Sequence, residues 1–150
     1  MKVLFLDIDG VLNSEDWALA KYKAGVTGAL QKEFDTDAVK RLNTIVEKTG
    51  AKIVISSSWR IAHSLEYIFN MMKKFGFVGE VIDRTPSVRG FKYARGFQIQ
   101  EWLDEHPEVT HFAILDDDSD MEHLKPKLVQ TSWSKGLLDE HIEKVAEHFK

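Results

Sequence analysis

The chain has 150 residues, a length that one domain fills and two rarely share. Apolar residues make up 43% and charged residues 29%, enough to build a core and too apolar for a wholly disordered chain. Its 24 acidic and 20 basic side chains leave a formal charge of −4, which argues against a general basic coat for nucleic acid while allowing a local basic patch. There is no cysteine, so disulfide scaffolds, thiolate zinc sites and cysteine nucleophiles are excluded. Asp7 and Asp9 cut the apolar opening run short of a signal sequence, and no stretch reaches the ~18 apolar residues of a membrane span. The expectation is a cytoplasmic chain without a membrane partner.

Short apolar runs alternate with segments of helical period, the pattern of an α/β domain with a mainly parallel sheet. Residues 3–6 read as a strand buried on both faces, because the apolar run does not alternate. Segment 13–34 fits neither period and is long for a strand-to-helix connection, which makes it a candidate flap or small lid. Residues 35–49 read as a helix with Val39, Leu42, Ile45 and Val46 on one face, capped by Asp35 or Thr36 and stopped by Gly50. A second buried strand, 53–55, leads into Ser56-Ser-Ser-Trp-Arg60. A helix carrying Ala62, Leu65, Ile68, Phe69 and Met72 follows and is closed by Gly76.

Residues 79–82 read as an edge strand and 85–96 as a loop containing Pro86 and Gly90. A short helix is expected over 97–105, with Ile99, Trp102 and Leu103 facing inward. The run 111–115 is the third strong strand and ends in Asp116-Asp-Asp-Ser-Asp120. A short strand over 128–131 and a helix over 138–149 complete the chain. Six histidines show no metal-ligand spacing, and His141 and His148 are expected on a surface helix face. Trp17 and Tyr22 either stack on a base or pin the flap to the body, Trp102 reads as core, and Trp133 receives no role.

Ligands of open α/β sheets bind outside the carboxyl ends of the strands. Asp7-Ile-Asp9-Gly10, the serine run and Asp116-Asp117 all fall at such ends. If their strands are neighbours, four carboxylates converge, and like charges so close raise one another's pKa values unless a cation neutralises them. A hard divalent ion suits oxygen ligands, and Mg²⁺ is favoured because it leaves positions for water and phosphate. Ser56 lies between a buried strand and a helix, where its hydroxyl and the first N–H groups meet an anion or simply cap the helix. Arg60, one turn on, either clamps a phosphate or sits in solvent.

Asp7-Ile-Asp-Gly-Val-Leu-Asn13 resembles the first motif of the haloacid dehalogenase (HAD) superfamily of aspartate-nucleophile phosphatases. Ser56 after a buried strand resembles the second motif, Arg95 at a helix start the third, and Leu115-Asp-Asp117 the fourth, all in the family's order. The resemblance implies a Rossmann-like three-layer core with a mainly parallel five-stranded sheet in the order 3-2-1-4-5 and a minimal cap. It implies Asp7 as nucleophile and Asp9 as general acid, then base. Ser56 and the N–H of Ser57 would bind the phosphoryl group, with Arg95 balancing charge. Mg²⁺ would be held by Asp7, the Asp9 carbonyl and Asp116, with Asp117 either a further ligand or one layer behind the ligands. The third-motif role stays open between Arg95, Lys92 and Arg89, and Asp117, Asp118 and Asp120 compete to assist Asp116, with Asp118 reading as a turn residue.

Neither 13–34 nor 76–95 is long enough for a full cap domain, so an open site would admit a large substrate. Arg84, Arg89, Lys92 and Arg95, interleaved with Phe91, Tyr93 and Phe97, suit backbone contacts plus base stacking or form a solvated loop. The serine-run and acidic-run spellings also resemble small stand-alone HAD domains associated with RNA repair. This favours a phosphate on a nucleotide or polynucleotide end. The alternatives are a phosphoprotein or small-metabolite phosphatase, and a non-catalytic phosphate-binding module on the same fold. A response-regulator receiver domain ranks behind these, because it would not place Asp-x-Asp-Gly after its first strand.

Overall fold

The computed structural model describes residues 1–87 and 94–150. Five parallel strands form one sheet: β1 (Lys2–Leu6), β2 (Lys52–Ile55), β3 (Val81–Arg84), β4 (His111–Asp116) and β5 (Leu128–Gln130). Their order is β3-β2-β1-β4-β5, the order the resemblance implies. Leu4 pairs with Ile53 on one side and Ala113 on the other, so β1 is central and covered on both faces. The pleat divides its side chains between two cores. Leu4 and Leu6 join Ile53, Ile55, Ala113 and Leu115 in one, while Val3 and Phe5 join Val54 and Ile114 in the other.

Seven α-helices are described: α1 (Glu15–Lys23), α2 (Ala29–Lys32), α3 (Thr36–Thr49), α4 (Trp59–Ala62), α5 (Leu65–Lys74), α6 (Arg95–Asp104) and α7 (Asp139–Glu147). The apolar stripes of α3, α5 and α7 cover the Leu4 face, and α6 covers the Phe5 face through Ile99 and Trp102. Trp102 meets Phe5 edge-on at 5.5 Å and donates its indole N–H to Asp83 Oδ2 at 2.8 Å. Asp35 caps α3 by accepting from Asp37 N, and Gly50 ends it at φ 71°, a left-handed conformation that glycine adopts without strain. None of the described helices is long and apolar enough to cross a membrane.

Several sequence expectations need correction. The single helix after the serine run is two, because His63 is extended and Ser64 starts a new helix by accepting from Tyr67 N at 3.1 Å. Ala62 is consequently exposed instead of inward. The edge strand lies two residues later than 79–82. Segment 13–34 contains α1 and α2; α1 buries none of its residues, so it carries no amphipathic period to read. The helix expected from residue 97 begins at Arg95. His141 is buried beside Val145 on the inner stripe of α7, and His148 is half-buried.

Candidate active site

The carboxyl ends of β1, β2 and β4 lie side by side, and the groups singled out in the sequence leave the sheet there. Asp7 follows β1, and its N–H donates to Leu115 O at 3.0 Å, which ties it to the adjacent end of β4. Asp116 ends β4 with no exposed surface. Carboxylate oxygens of Asp7, Asp116 and Asp117 lie within 4.8 Å of one another. Arg95 Nη1 reaches Asp116 Oδ2 at 2.5 Å and Asp7 Oδ1 at 3.4 Å. Arg95 is thus brought to these carboxylates, while the other two candidates for the basic role, Arg89 and Lys92, lie outside the described residues.

Burial and then the neighbouring Asp116 charge push the Asp7 carboxyl up to about 9, against the opposing pull of Arg95. Asp117 is also raised, by burial first and then by Asp116. Burial opposes the charge on Arg95, but Asp116 and Asp7 outweigh it and hold the guanidinium protonated. Among the described residues, one guanidinium faces three crowded carboxyl groups, and all three offer hard oxygen donors. That donor set fits a hard divalent cation, which would relieve the repulsion. Gly10, at φ 80°, makes room for the Asp117 side chain: a Cβ there would stand 2.4 Å from Asp117 Oδ2. Thr131, the residue after β5, donates its Oγ1 hydroxyl to Gly10 O at 2.5 Å and braces the same turn.

Asp9 is held apart from that cluster. Its Oδ1 accepts from Asn13 Nδ2 at 2.9 Å and its Oδ2 from the Trp59 indole N–H at 3.1 Å. Asn13 also accepts from Gly10 N at 2.9 Å, closing the turn on itself. A metal role for Asp9 therefore rests on its main-chain carbonyl, as the resemblance implies, and its side chain is oriented for other work.

Ser56 Oγ is fully buried and has no hydrogen-bond partner among the described residues, and Thr85 Oγ1 on the next strand end shares that state. Buried hydroxyls are nearly always paired, so an orphan at a strand end is a candidate ligand for an oxyanion. Ser57 uses its hydroxyl to accept from Trp59 N at 3.2 Å, which leaves its backbone N–H as the expected phosphate contact.

Neither reading of Arg60 matches its place. The side chain is buried, not solvated, and its N–H groups go to the carbonyls of Ser56, Ser57, Thr85 and Pro86 and to Gln98 Oε1. All five donors of the guanidinium are engaged, so the residue braces the serine loop against the end of β3. Burial, followed by the nearby Arg95 charge, lowers it to about 10.

The acidic run divides its work among neighbours. Asp118 N donates to Asp116 Oδ1 at 2.9 Å, so this residue turns the chain and fixes the carboxylate before it. Asp120 Oδ2 accepts from Arg95 N at 3.2 Å and its carbonyl accepts from Gly96 N at 3.1 Å, which anchors the start of α6. Gly96 is required there, since a Cβ would meet Met121 O at 2.1 Å. Asn13, Trp59 and Gly96 carry no role in the sequence reading, and Asp120, a candidate to assist Asp116, anchors α6. Asn13 and Trp59 stand only within the first-motif and serine-run spellings. In the basic stretch, Arg84 Nη1 donates to Arg60 O at 3.1 Å, and Phe91 and Tyr93 lie outside the described residues.

A parallel 3-2-1-4-5 sheet with this acidic cluster at its central carboxyl ends is the architecture of a HAD-superfamily core. Residues 3–142 match the model of the family described as "HAD domain in Swiss Army Knife RNA repair proteins", and the chain belongs to that family. Membership points to hydrolase chemistry of the phosphatase type. No curated protein matches the chain.

Proposed function

We propose that this chain hydrolyses phosphomonoesters on a nucleotide or polynucleotide end, through an aspartyl-phosphate on Asp7. The observation that carries the reading is the division between Asp7, clustered with the Asp116 and Asp117 carboxyls, and Asp9, whose side chain is held by Asn13 and Trp59. Two carboxylates in different surroundings support two different roles. The family's description, which names RNA repair proteins, supports the nucleic-acid end as substrate.

In the first step an Asp7 oxygen bonds to phosphorus while the bond from phosphorus to the leaving oxygen breaks, and Asp9 gives that oxygen its proton. In the second step Asp9 takes a proton from water, the water oxygen bonds to phosphorus, and Asp7 leaves as a carboxylate. Ser56 and the N–H of Ser57 would hold the phosphoryl oxygens. Arg95 would offset their charge and keep Asp7 and Asp116 in place. A divalent cation, Mg²⁺ by the hardness of its donors, would be held by Asp7, Asp116, Asp117 and the Asp9 carbonyl, and when bound supplies charge stabilisation to the transferring group. The 13–34 segment would act as a short flap beside Asp9, leaving the site open to large substrates.

Phosphate release from a panel tests this, with and without Mg²⁺. The panel holds para-nitrophenyl phosphate, mononucleotides, oligonucleotides with 3′- or 5′-phosphates, and a phosphopeptide. The expected result is Mg²⁺-dependent release, greatest from a nucleotide or oligonucleotide and abolished by Asp7→Asn. Preference for the phosphopeptide would overturn the substrate class, and no release from any member would overturn hydrolysis and leave a phosphate-binding module.

A further inference from the structure

A cavity of about 290 Å³ opens beside Asp9, walled by Asp9, Leu30, Gln31, Trp59, His63 and Trp133. These residues come from the first-motif turn, the 13–34 segment, the serine-run helix and the turn after β5. We propose that this cavity is the leaving-group subsite and that it takes the nucleobase of a terminal nucleoside, stacked on Trp133. The assignment rests on the phosphatase reading for the role of Asp9. An acid that protonates the leaving oxygen stands next to whatever that oxygen belongs to, so a cavity with Asp9 in its wall receives the leaving group and not the phosphate.

The lining selects the ligand. Among the described residues no lysine or arginine borders the cavity, and Arg95 is engaged with Asp7 and Asp116. A second phosphate would find no permanent counter-charge among these lining residues. The walls are largely aromatic and aliphatic, and Trp133 keeps 42% of its surface exposed. That exposure is carried by a fixed turn, not a loose one. Glu15 N donates to Trp133 O at 2.9 Å, Asp16 N to Ser134 O at 3.0 Å, and Gly136 N closes the turn on Ser132 O at 2.8 Å.

A large indole held at a cavity rim by its backbone is a ready stacking platform, because every base has a π-face. The Gln31 amide and the Ser58 hydroxyl, also at the cavity, supply the donor and acceptor that a base edge, unlike a phenyl ring, can pair with. The volume lies near the lower bound of about 300 Å³ for small-molecule sites, which suits one nucleoside and not a duplex.

The test reads the ratio of kcat/KM for adenosine monophosphates to that for ribose phosphate. Trp133→Ala is expected to lower this ratio about tenfold or more, and Trp133→Phe to keep most of it. A ratio unmoved by Trp133→Ala, or a phosphotyrosine peptide used better than any nucleotide, would overturn the subsite. A parallel arm compares the mononucleotide with an oligonucleotide of the same terminal base. Faster turnover of the oligonucleotide identifies a chain end as the source of the nucleoside, faster turnover of the mononucleotide identifies a free nucleotide, and dependence on Trp133 in either supports the subsite.

Binding separates this proposal from the hydrolysis itself. Titration of the protein with unphosphorylated adenosine should shift the Trp133 indole N–H resonance, assigned by its loss in Trp133→Phe, in both the natural chain and Asp7→Asn. No shift at millimolar adenosine overturns the base site even if phosphate is released. A shift without any turnover sustains the base site and overturns hydrolysis.

Discussion

The indole N–H of Trp59 donates to Asp9 Oδ2 at 3.1 Å, joining the helix after the second strand to the turn after the first. Asp9 therefore takes its orientation from a residue fifty positions away, packed in turn against Phe34 at 5.4 Å between ring centres. In the proposed mechanism Trp59 is a positioning residue. Trp59→Phe keeps an aromatic ring in the packing and removes the donor. Its kcat should fall about tenfold or more while KM changes little, since general acid–base catalysis contributes roughly 10²–10⁴-fold and is lost in part when the acid is misaligned. Steady-state kinetics on one substrate checks this; a change confined to KM would show that Trp59 serves binding and not the orientation of Asp9.

The two acidic sets should separate in metal binding. Asp116→Asn and Asp117→Asn remove oxygen charge from the proposed cation site, and each should weaken Mg²⁺ or Mn²⁺ binding, Asp116→Asn more strongly. Asp9→Asn should lose turnover and keep most metal affinity, because its carboxylate is bonded to Asn13 and Trp59 instead. Calorimetric titration of the three variants with metal is the measurement. Equal loss of affinity in Asp9→Asn would move its side chain into the metal site.

Arg60 offers a sharp contrast between a brace and a phosphate ligand. Arg60→Met should destabilise the fold by about 3 kcal/mol or more, because several buried carbonyls lose their donors at once. A phosphate ligand would instead raise KM and leave unfolding nearly unchanged. Urea unfolding monitored by circular dichroism distinguishes the two.

His141 predicts an acid-sensitive contribution to stability. Its Nδ1 accepts from Leu138 N at 2.9 Å, a bond that the protonated ring cannot keep. Burial lowers its folded pKa below the ordinary 6.5; nearby Glu140 opposes this, while Lys144 and Arg41 add to it. The unfolded chain thus binds the proton more readily. The contribution is fully present above 6.5 and is lost as pH falls below that value, levelling off below the folded pKa. His141→Leu should be less stable than the natural chain near neutrality, with the gap closing on acidification. Thermal unfolding across that range checks the sign.

Strand and helix identity were legible wherever burial wrote a period into the chain. The unbroken run at β1, the stripe of α3 with Asp35 and Gly50 at its ends, and the apolar stretch of β4 all carry local signals of this kind. Helix α1 was not legible, because it buries nothing and any polar sequence would serve its exposed faces. The break at Ser64 was also hidden, since the apolar spacing of α5 continues across it and the cap is one hydroxyl.

The sequence by itself determined the class of sheet and the family and offered candidates for the four motif positions, because side-chain periodicity and motif order are properties of the chain read along its length. Tertiary structure alone decided which partners those positions acquire. Arg95 reaches Asp7 and Asp116 because α6 is anchored on Asp120 and passes close to Met121 at Gly96. Arg60 turns inward because carbonyls from two loops converge on it, and Trp59 and Trp133 come to flank Asp9 from elements distant in sequence. Such contacts leave no periodic trace. They arise when the parallel sheet aligns the carboxyl ends of its strands, bringing loops from separate parts of the chain together at one edge.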